Sequence, residues 1–299
     1  MGGTDVNPDA VLRDISDTAL GVAVERARET KRQRPLFRDP HAGMLAGKRG
    51  QRIARKMRHR LVSSGVVVRT AVFDELILQT VKRERAACVL NLGAGLDTRP
   101  YRLDLRADLR WVEADLPGIL DYKAKLLVDE QPRCRLERLD VDVTDAIARG
   151  ALLDHVAAGQ PTLVVCEGLV VYLTEGDVTG LASDLAARPD FRWWALDIVG
   201  SLFIEWGNRI VGRQLSAVGA SMQFAPEEGP DFFRPLGWEP YEVRSSWLEG
   251  RRLGREPWMM RVAWAVGSPR QRDSYRNLGS YVVLRRTHAR DVGTTSSPS

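Results

Sequence analysis

The chain has 299 residues, of which 44% are hydrophobic and 28% are charged, with a net charge of +5. This composition is typical of a soluble globular protein with a sizeable core, and it excludes a disordered or fibrous chain. The apolar runs are shorter than the roughly 20 residues that cross a bilayer, and the first residues do not resemble a secretory signal. We therefore expect a cytoplasmic protein without membrane contact. The small charge excess does not indicate a nucleic-acid partner.

The three cysteines, Cys88, Cys134 and Cys166, lie far apart inside apolar runs. This spacing favours reduced, buried thiols over a disulfide framework or a metal site. We expect no bound metal.

The first 85 residues read as helical. Apolar residues recur at helical spacing over 9–34, which predicts an amphipathic helix ending near Pro35, and again over 66–83. The basic stretch from Lys48 to Arg60 between them is expected to be a solvated helix face with Ile53, Ala54 and Met57 turned inward. A phosphate or RNA contact is the alternative, but no aromatic residue that could stack on bases is interleaved.

From residue 86 onward, short apolar segments alternate with helical or loop segments. The first five of these segments have Gly, Asp or Glu at or directly after their carboxyl ends, as expected for buried parallel strands. Two late segments could pair as an antiparallel edge. The pattern predicts a doubly wound, mostly parallel α/β sheet. The predicted strands cover residues 86–92, 110–116, 133–141, 161–168, 192–199, 238–245 and 280–287.

This reading divides the chain into three parts. Residues 1–85 form an N-terminal helical cap, and residues 86–290 form the α/β domain, with an insertion near 200–230. Residues 291–299 form a flexible tail.

The first predicted strand runs directly into Gly93-Ala94-Gly95. Glycine lets the chain turn sharply and lets a ligand approach the backbone, so a cofactor is expected at this turn. A dinucleotide fingerprint would place a further small Gly or Ala three residues after Gly95, where this chain has Thr98. The ending of a phosphate loop is also absent. A tight connection without a ligand is the remaining alternative.

Acidic residues close the next two strands. The second strand ends in Glu113 and Asp115 about 20 residues after the glycines, where a carboxylate can accept hydrogen bonds from both ribose hydroxyls of an adenosyl group. We favour Asp115 and hold Glu113 in reserve. After the third strand, Asp142 could bond an adenine amino group while Val143 packs against the ring. Each acid taken singly could equally be a helix cap or a solvated carboxylate.

Three motifs together resemble the leucine carboxyl methyltransferase family. They are NLGAGLDTR at 91–99, VEADLP at 112–117 with Lys123 following, and CEGLVVYLT at 166–174; LFRDP at 36–40 and RTAVFD at 69–74 extend the likeness. The family is a branch of the class I methyltransferases that depend on S-adenosylmethionine (SAM), and it also holds the tetracenomycin-type polyketide carboxyl O-methyltransferases. The resemblance implies a Rossmann-like fold of seven strands and SAM as the cofactor.

The resemblance also implies roles for individual residues. Arg69 looks like the arginine that holds the methionine carboxylate of SAM, as a forked guanidinium can. Glu167 resembles the acid that faces the cofactor's amino group, and Gly93 with its neighbours would line the methionine side. Asp115 would take the ribose, and Asp142 with Val143 the adenine. Arg28 is a plausible counterpart of a basic residue that the N-terminal helix contributes in relatives.

The acceptor is expected between the N-terminal helices and the segment from Ser201 to Phe224. A carboxylate acceptor, with a reference pKa near 4, is ionised at neutral pH and needs no general base, whereas a phenol near 10 usually does. His41, His59, His155 and His288 are scattered away from the strand-end motifs, which favours a small-molecule carboxylic acid over a phenol or hydroxyl. The loosely matching C-terminal third argues against a protein substrate. Candidate walls of the acceptor pocket are Tyr172, Phe37, Trp206, Met222 and Phe224.

Two other classes of function remain open from the residues alone. One is a nicotinamide-dependent oxidoreductase on a related sheet, and the other is a non-catalytic scaffold that keeps the fold. Titration with SAM and NAD separates all three, because each class predicts a different cofactor or none.

Overall fold

A single seven-stranded sheet organises the protein, in the order β3-β2-β1-β4-β5-β7-β6. A computed structural model describes residues 17–56, 60–205, 208–209, 221–256, 258–268 and 278–287. Strands β1 to β5 are parallel, and β7 runs antiparallel between β5 and β6. The doubly wound sheet and its late antiparallel edge are therefore confirmed. The strands are β1 (Cys88–Leu92), β2 (Arg110–Asp115), β3 (Arg135–Asp140), β4 (Thr162–Cys166), β5 (Phe191–Val199), β6 (Trp238–Ser245) and β7 (Gly279–Arg286).

Helices fill the connections and precede the sheet. In the part of the chain that the structure describes, none of them is both long and apolar enough for a membrane span. Short 3-10 helices cover Val170–Tyr172 and Gly229–Leu236, and residues 201–205 are helical. The α-helices are α1 (Asp17–Thr30), α2 (Ala42–Lys56), α3 (Arg60–Arg83), α4 (Arg99–Arg102), α5 (Ile119–Leu126), α6 (Ala146–Val156), α7 (Glu175–Ala186), α8 (Ser246–Arg252) and α9 (Trp258–Val266).

The helix ends differ in part from the prediction. Helix α1 ends at Thr30, before Pro35, because the chain turns there and the Glu29 carboxylate accepts a hydrogen bond from the backbone of Leu36 (2.8 Å). Helix α3 ends at Arg83 as expected but begins at Arg60, six residues early. The predicted beginning at residue 9 and the tail at 291–299 lie outside the described residues, and the insertion near 200–230 lies partly outside them.

The sheet is covered on both faces by apolar side chains. Helix α3 packs Val72 and Leu76 against Val89 of β1 and Val165 of β4, so it belongs to the sheet's own layers although it lies within the predicted cap. Helices α6 and α7 cover the other face. Burial of one such Leu or Ile side chain stabilises the fold by about 2 kcal/mol. The three cysteines are buried free thiols, as predicted.

Helices α1 and α2 pack on each other and on the loop that follows β1. Leu20 of α1 and Leu45 of α2 share one apolar cluster with Leu96 of that loop. In the basic stretch, Ile53 and Ala54 are buried, whereas Lys48, Arg52 and Arg55 are exposed, as a solvated helix face requires; Met57 lies outside the described residues. These two helices therefore cover the edge of the sheet where the site residues collect.

Candidate functional site

The glycine loop after β1 is held against β2 through its backbone. The N–H groups of Gly93 and Ala94 both donate to the carbonyl of Ala114, at 2.8 and 3.3 Å. Gly95 has φ +46°, and a Cβ there would lie 3.3 Å from the Cβ of Ala19 on α1. Glycine at this position therefore lets the loop adopt its turn and lets the cap approach closely.

Asp115 lies at the carboxyl end of β2, directly beside this loop. Its carboxylate accepts hydrogen bonds from the backbone N–H of Gly95 (2.5 Å) and of Leu116 (2.7 Å). The side chain is half-buried, and burial raises the pKa of Asp115 from its ordinary value. Each carboxylate oxygen can accept more than one hydrogen bond, so capacity remains for a pair of hydroxyls.

Glu113, the alternative to Asp115, lies two residues earlier on β2 and has different surroundings. It is fully buried and pairs with Lys123 (2.9 Å) and Arg138 (3.0 Å). The same ammonium of Lys123 donates to the carbonyl of Asp97 (2.9 Å), which ties the loop after β1 to β2. Glu113 therefore stabilises the sheet beneath the site, and Asp115 alone of the two faces the loop.

The segment after β3 joins the same edge. The backbone N–H of Val141 donates to the carbonyl of Asp115 (2.8 Å), which places Asp142 and Val143 next to the β2 end. Val143 is buried, whereas Asp142 is exposed and accepts from the N–H and the hydroxyl of Thr144 (2.9 and 2.7 Å). Val143 thus belongs to the core, and the carboxylate of Asp142 is accessible at the same edge; their contact with adenine stays a prediction.

The opposite half of the site is a line of alternating charges. Arg69 of α3 donates from Nε to Glu167 after β4 (3.1 Å) and from Nη1 to Asp197 of β5 (3.3 Å). Glu167 is also paired with Nη1 of Arg99 at 2.7 Å. We call Asp197, Arg69, Glu167 and Arg99 the charge row. Although burial opposes ionisation, Asp197 and Glu167 raise the pKa of Arg69 well above its ordinary value, so it stays charged.

Arg99 is anchored by further acids that explain two of the sequence motifs. The guanidinium of Arg99 donates hydrogen bonds to Asp97 (2.9 Å) and to Asp74 of α3 (2.7 Å). Asp74 also accepts hydrogen bonds from Nη1 and Nη2 of Arg102 (2.6 and 2.7 Å). Burial opposes the ionised form of Asp97, but Arg99 and Lys123 outweigh it and hold the pKa of Asp97 well below its ordinary range. The glycine loop is thereby fixed to α3.

These groups fit the cofactor that the resemblance implies. The amino-acid end of SAM carries one carboxylate and one ammonium, and the charge row presents a guanidinium beside a carboxylate. A guanidinium has five N–H donors, of which the two contacts of Arg69 described above use two. The acid and apolar surface for an adenosyl group stand at the neighbouring strand ends.

Comparisons with known proteins show which family the chain belongs to. Residues 19–186 match the family described as Leucine carboxyl methyltransferase, which is more than half of the chain. The chain belongs to the leucine carboxyl methyltransferase family.

Two relatives of this leucine carboxyl methyltransferase family member have the same description. A protein of Frankia alni, named as a candidate S-adenosyl-L-methionine-dependent methyltransferase, is 34% identical over 239 residues, which are 74% of this chain and 79% of that protein. A protein of Streptomyces coelicolor with the same description is 36% identical over 237 residues, covering 74% and 80%. The chain is thus a SAM-dependent methyltransferase, which removes the nicotinamide-dependent and the non-catalytic alternatives.

Two solved structures have the same fold as this member of the leucine carboxyl methyltransferase family. A DUF574 family protein from Streptomyces avermitilis superposes with a TM-score of 0.60 at 16% identity, covering 90% of this chain and 97% of that one. A candidate methyltransferase from Thermobifida fusca gives 0.59 at 16% identity, covering 94% and 97%. At this identity the likeness concerns the fold alone, and it confirms the class I methyltransferase sheet.

The candidate acceptor-pocket residues of the methyltransferase fall into two groups. Tyr172 and Met222 are half-buried and pack against the cluster formed by α1, α2 and the glycine loop. Phe224 is instead enclosed by Phe232 and Phe233 in the core, with ring centroids 5.1 and 6.3 Å away. Phe37 is also buried, with the guanidinium of Arg102 5.3 Å from its ring centroid, and Trp206 lies outside the described residues. Tyr172 and Met222 are therefore the candidates that stand beside the site.

Two arginines of α1 differ in position. Arg28, the counterpart chosen by counting, is largely exposed and pairs with Glu25. Arg26 is buried and donates to the carbonyl of Leu96 in the glycine loop (2.5 Å), beside Asp39 (3.5 Å). Asp39 in turn accepts from the hydroxyl of Thr98 (2.7 Å). Arg26 thus attaches the cap to the loop, whereas Arg28 makes its contact within α1.

Sequence reasoning missed Asp197 and Arg99. Arg99 lies within the 91–99 motif and Asp197 within the fifth predicted strand, and neither pattern indicates that the two belong to the charge row. Asp197 is an acid inside an otherwise apolar run, Trp193–Val199, and a buried carboxylate of this kind needs a partner. That pattern was the available signal.

Proposed function

We propose that this methyltransferase forms a methyl ester on a carboxylic acid of a small molecule, such as a polyketide or other aromatic or aliphatic acid. SAM supplies a methyl group on a sulfonium that an oxygen nucleophile can displace. An acid that is already ionised needs to be held in line with that methyl group, and positioning of this kind can supply much of the rate enhancement.

The observation that carries this proposal is how the ionisable groups of the site are engaged. The acids and arginines of the charge row pair with one another. The two histidines within the described residues lie elsewhere: His41 packs on the ring of Tyr101 at 5.6 Å, and His155 pairs with Glu137 at 2.6 Å. Burial also raises the pKa of Tyr172, so its hydroxyl stays protonated at neutral pH. These groups suit orientation of an acceptor rather than removal of its proton.

For the cofactor, we propose the roles that the family resemblance implied. Arg69 holds the methionine carboxylate and Glu167 receives the ammonium, while Gly93, Ala94 and Gly95 line the methionine side. Asp115 accepts the ribose hydroxyls, and Asp142 with Val143 contacts the adenine. The support is that these residues come from separate parts of the chain to the carboxyl ends of β1 to β4.

For the acceptor, we propose a pocket beside Tyr172 and Met222. The backbone N–H of Gln223, next to Met222, donates to the carbonyl of Val171 (2.8 Å), and its side-chain amide donates to the carbonyl of Tyr172 (3.3 Å). This arrangement holds a flat phenol ring and a thioether side chain together under the cap. Such a surface suits an aromatic or aliphatic acid, and we propose a free cytoplasmic small molecule rather than a protein or nucleic acid.

The test is incubation with SAM labelled in its methyl group and a panel of carboxylic acids and phenols. We expect label on an acid, released as methanol by mild alkali, because methyl esters are base-labile. The Arg69→Met variant is the negative control at low SAM concentration, since it should bind the cofactor about 100-fold more weakly. Label that survives alkali would show that the acceptor is a phenol or hydroxyl instead of a carboxylate, and the conclusion that the enzyme depends on SAM would remain.

A further inference from the structure

Asp197 occupies a place in the site that the cofactor roles above leave without a function. It lies near the end of β5, is 7% exposed, and points to the face that α3 covers, as do Trp193 and Ala195 on the same strand. One carboxylate oxygen accepts the backbone N–H of Gly168 (2.6 Å), and the other receives Nη1 of Arg69 (3.3 Å). A single side chain therefore links the loop after β4 to helix α3.

We infer that Asp197 is a positioning residue that sets the guanidinium of Arg69 for the carboxylate of the cofactor's amino-acid end. The inference rests on the proposed role of Arg69. Without Asp197, Arg69 would keep its hydrogen bond to Glu167 through Nε but would lose the hydrogen bond that holds Nη1. A guanidinium that rotates about its Nε contact loses the forked alignment that a carboxylate requires.

Gly168 supplies an independent geometric constraint on the same guanidinium. Its φ is +67°, and a Cβ built on it would lie 2.7 Å from Nη1 and 3.0 Å from Cζ of Arg69. The backbone of the β4 loop therefore passes directly against the arginine, while the N–H of the same residue is held by Asp197. Asp197 and Gly168 together confine Arg69 from two sides.

Tyr281 of β7 is the neighbour of Asp197 in the sheet. It is the residue opposite Asp197 in the β5–β7 register and is buried, with its ring 6.2 Å from that of Phe73 on α3. Burial raises the pKa of Tyr281, so it remains a neutral phenol. Tyr281 therefore adds no negative charge beside Arg69.

The test compares two ligands by calorimetric titration. S-adenosylhomocysteine has the amino-acid end, whereas 5′-methylthioadenosine lacks it but keeps the adenosyl group. We expect Asp197→Asn to bind S-adenosylhomocysteine about 10-fold or more weakly than the wild type does, because an oriented bond to a charged group is lost. Affinity for methylthioadenosine should stay within about 3-fold, which also reports that the variant is folded.

Matched variants complete the design. Asp154→Asn is the control, since Asp154 pairs with Arg188 at 2.7 Å away from the site, and it should bind both ligands as the wild type does. Gly168→Ala should reproduce the selective loss by displacing the guanidinium, and it decides the matter if Asp197→Asn does not fold. Unchanged affinity for S-adenosylhomocysteine, or an equal loss for both ligands, would overturn the inference. A wild type that binds neither ligand would instead refute the proposed cofactor roles on which the inference rests.

Discussion

The two halves of the site are built in different ways. The adenosyl half is local, because Asp115 binds the backbone of the loop after the preceding strand, Gly95, and the segment after β3 binds the backbone of Asp115. The amino-acid half is assembled from side chains of α3, β4, β5 and the beginning of α4, which pair over sequence separations of 98 and 128 residues for the two contacts of Arg69.

Because of this difference, we expect substitutions in the two halves to have different consequences. In the adenosyl half, backbone hydrogen bonds fix the loop, and the deciding side chain is one half-buried carboxylate. In the amino-acid half, each charge is the partner of the next, so removal of one leaves another charge buried without its partner. We therefore expect larger and more selective losses of cofactor affinity from changes in the charge row than from changes at Asp115.

The largest expected effect of a single substitution is on stability, and it concerns Glu113, which lies beneath the adenosyl half of the site. Glu113→Gln removes a fully buried charge between Lys123 and Arg138, so the free energy of unfolding should fall by about 3–5 kcal/mol. Urea unfolding measures this. The control is Glu137→Gln on the neighbouring strand, whose partly exposed pair with Arg110 (3.0 Å) should contribute about 1 kcal/mol or less. Equal losses in the two variants would contradict the structural role of Glu113.

Arg69→Met should give the next largest effect. It removes the guanidinium between Glu167 and Asp197, so affinity for S-adenosylhomocysteine should fall about 100-fold while that for methylthioadenosine changes little. Isothermal calorimetry gives both constants. Arg188→Met, which loses a partly exposed pair with Asp154, is the matched control and should leave both affinities unchanged. A loss of less than about 3-fold for S-adenosylhomocysteine would be inconsistent with the role of Arg69.

Asp97 connects the two halves, and its effect should depend on pH. Its pKa is lowered in the folded protein, so its ionised form stabilises the fold above the ordinary value of 3.8, and this contribution disappears as the pH falls toward the folded-state pKa. Asp97→Asn should therefore cost about 2 kcal/mol at neutral pH, and the difference from wild type should shrink below about pH 4. Urea unfolding at several pH values measures the difference. A gap that is constant from pH 7 downward would show that the charge of Asp97 is not the cause.

Asp115→Ala should produce the smallest of these effects and the least selective one. The carboxylate would no longer hold Gly95 or accept ribose hydroxyls, so both ligands should bind about 10-fold more weakly. Asp104→Ala, which removes an exposed acid that pairs with Lys82 at 3.2 Å, is the control and should have no effect on either ligand. A loss confined to S-adenosylhomocysteine would place Asp115 at the wrong end of the cofactor.

The local half was the one that the sequence could predict. Strand alternation and the glycine turn placed Asp115 and Asp142 at neighbouring strand ends without any knowledge of packing. The choice of Asp115 over Glu113 followed from distance to the strand end, and the structure explains it: Lys123, in the helix that follows β2, reaches back to pair with Glu113.

The long-range half could be predicted only through resemblance. Arg69 and Glu167 were identified only through the family resemblance. For Asp197 the sequence signals a buried acid that needs a partner, but it does not tell which residue that partner is. The attachment of the cap by Arg26, Asp39 and Thr98 was missed for the same reason, since these contacts join segments 59 and 70 residues apart. Counting along α1 suggested Arg28, but burial decides in favour of Arg26 as the residue that reaches the loop.

The central claim is that the two halves recognise separate parts of the cofactor. The most direct test is the ratio of the affinities for S-adenosylhomocysteine and methylthioadenosine, measured calorimetrically in the wild type, Arg69→Met and Asp115→Ala. We predict that Arg69→Met reduces this ratio by about 100-fold and that Asp115→Ala leaves it unchanged while weakening both ligands. Equal changes of the ratio in the two variants, or no change in Arg69→Met, would contradict the claim.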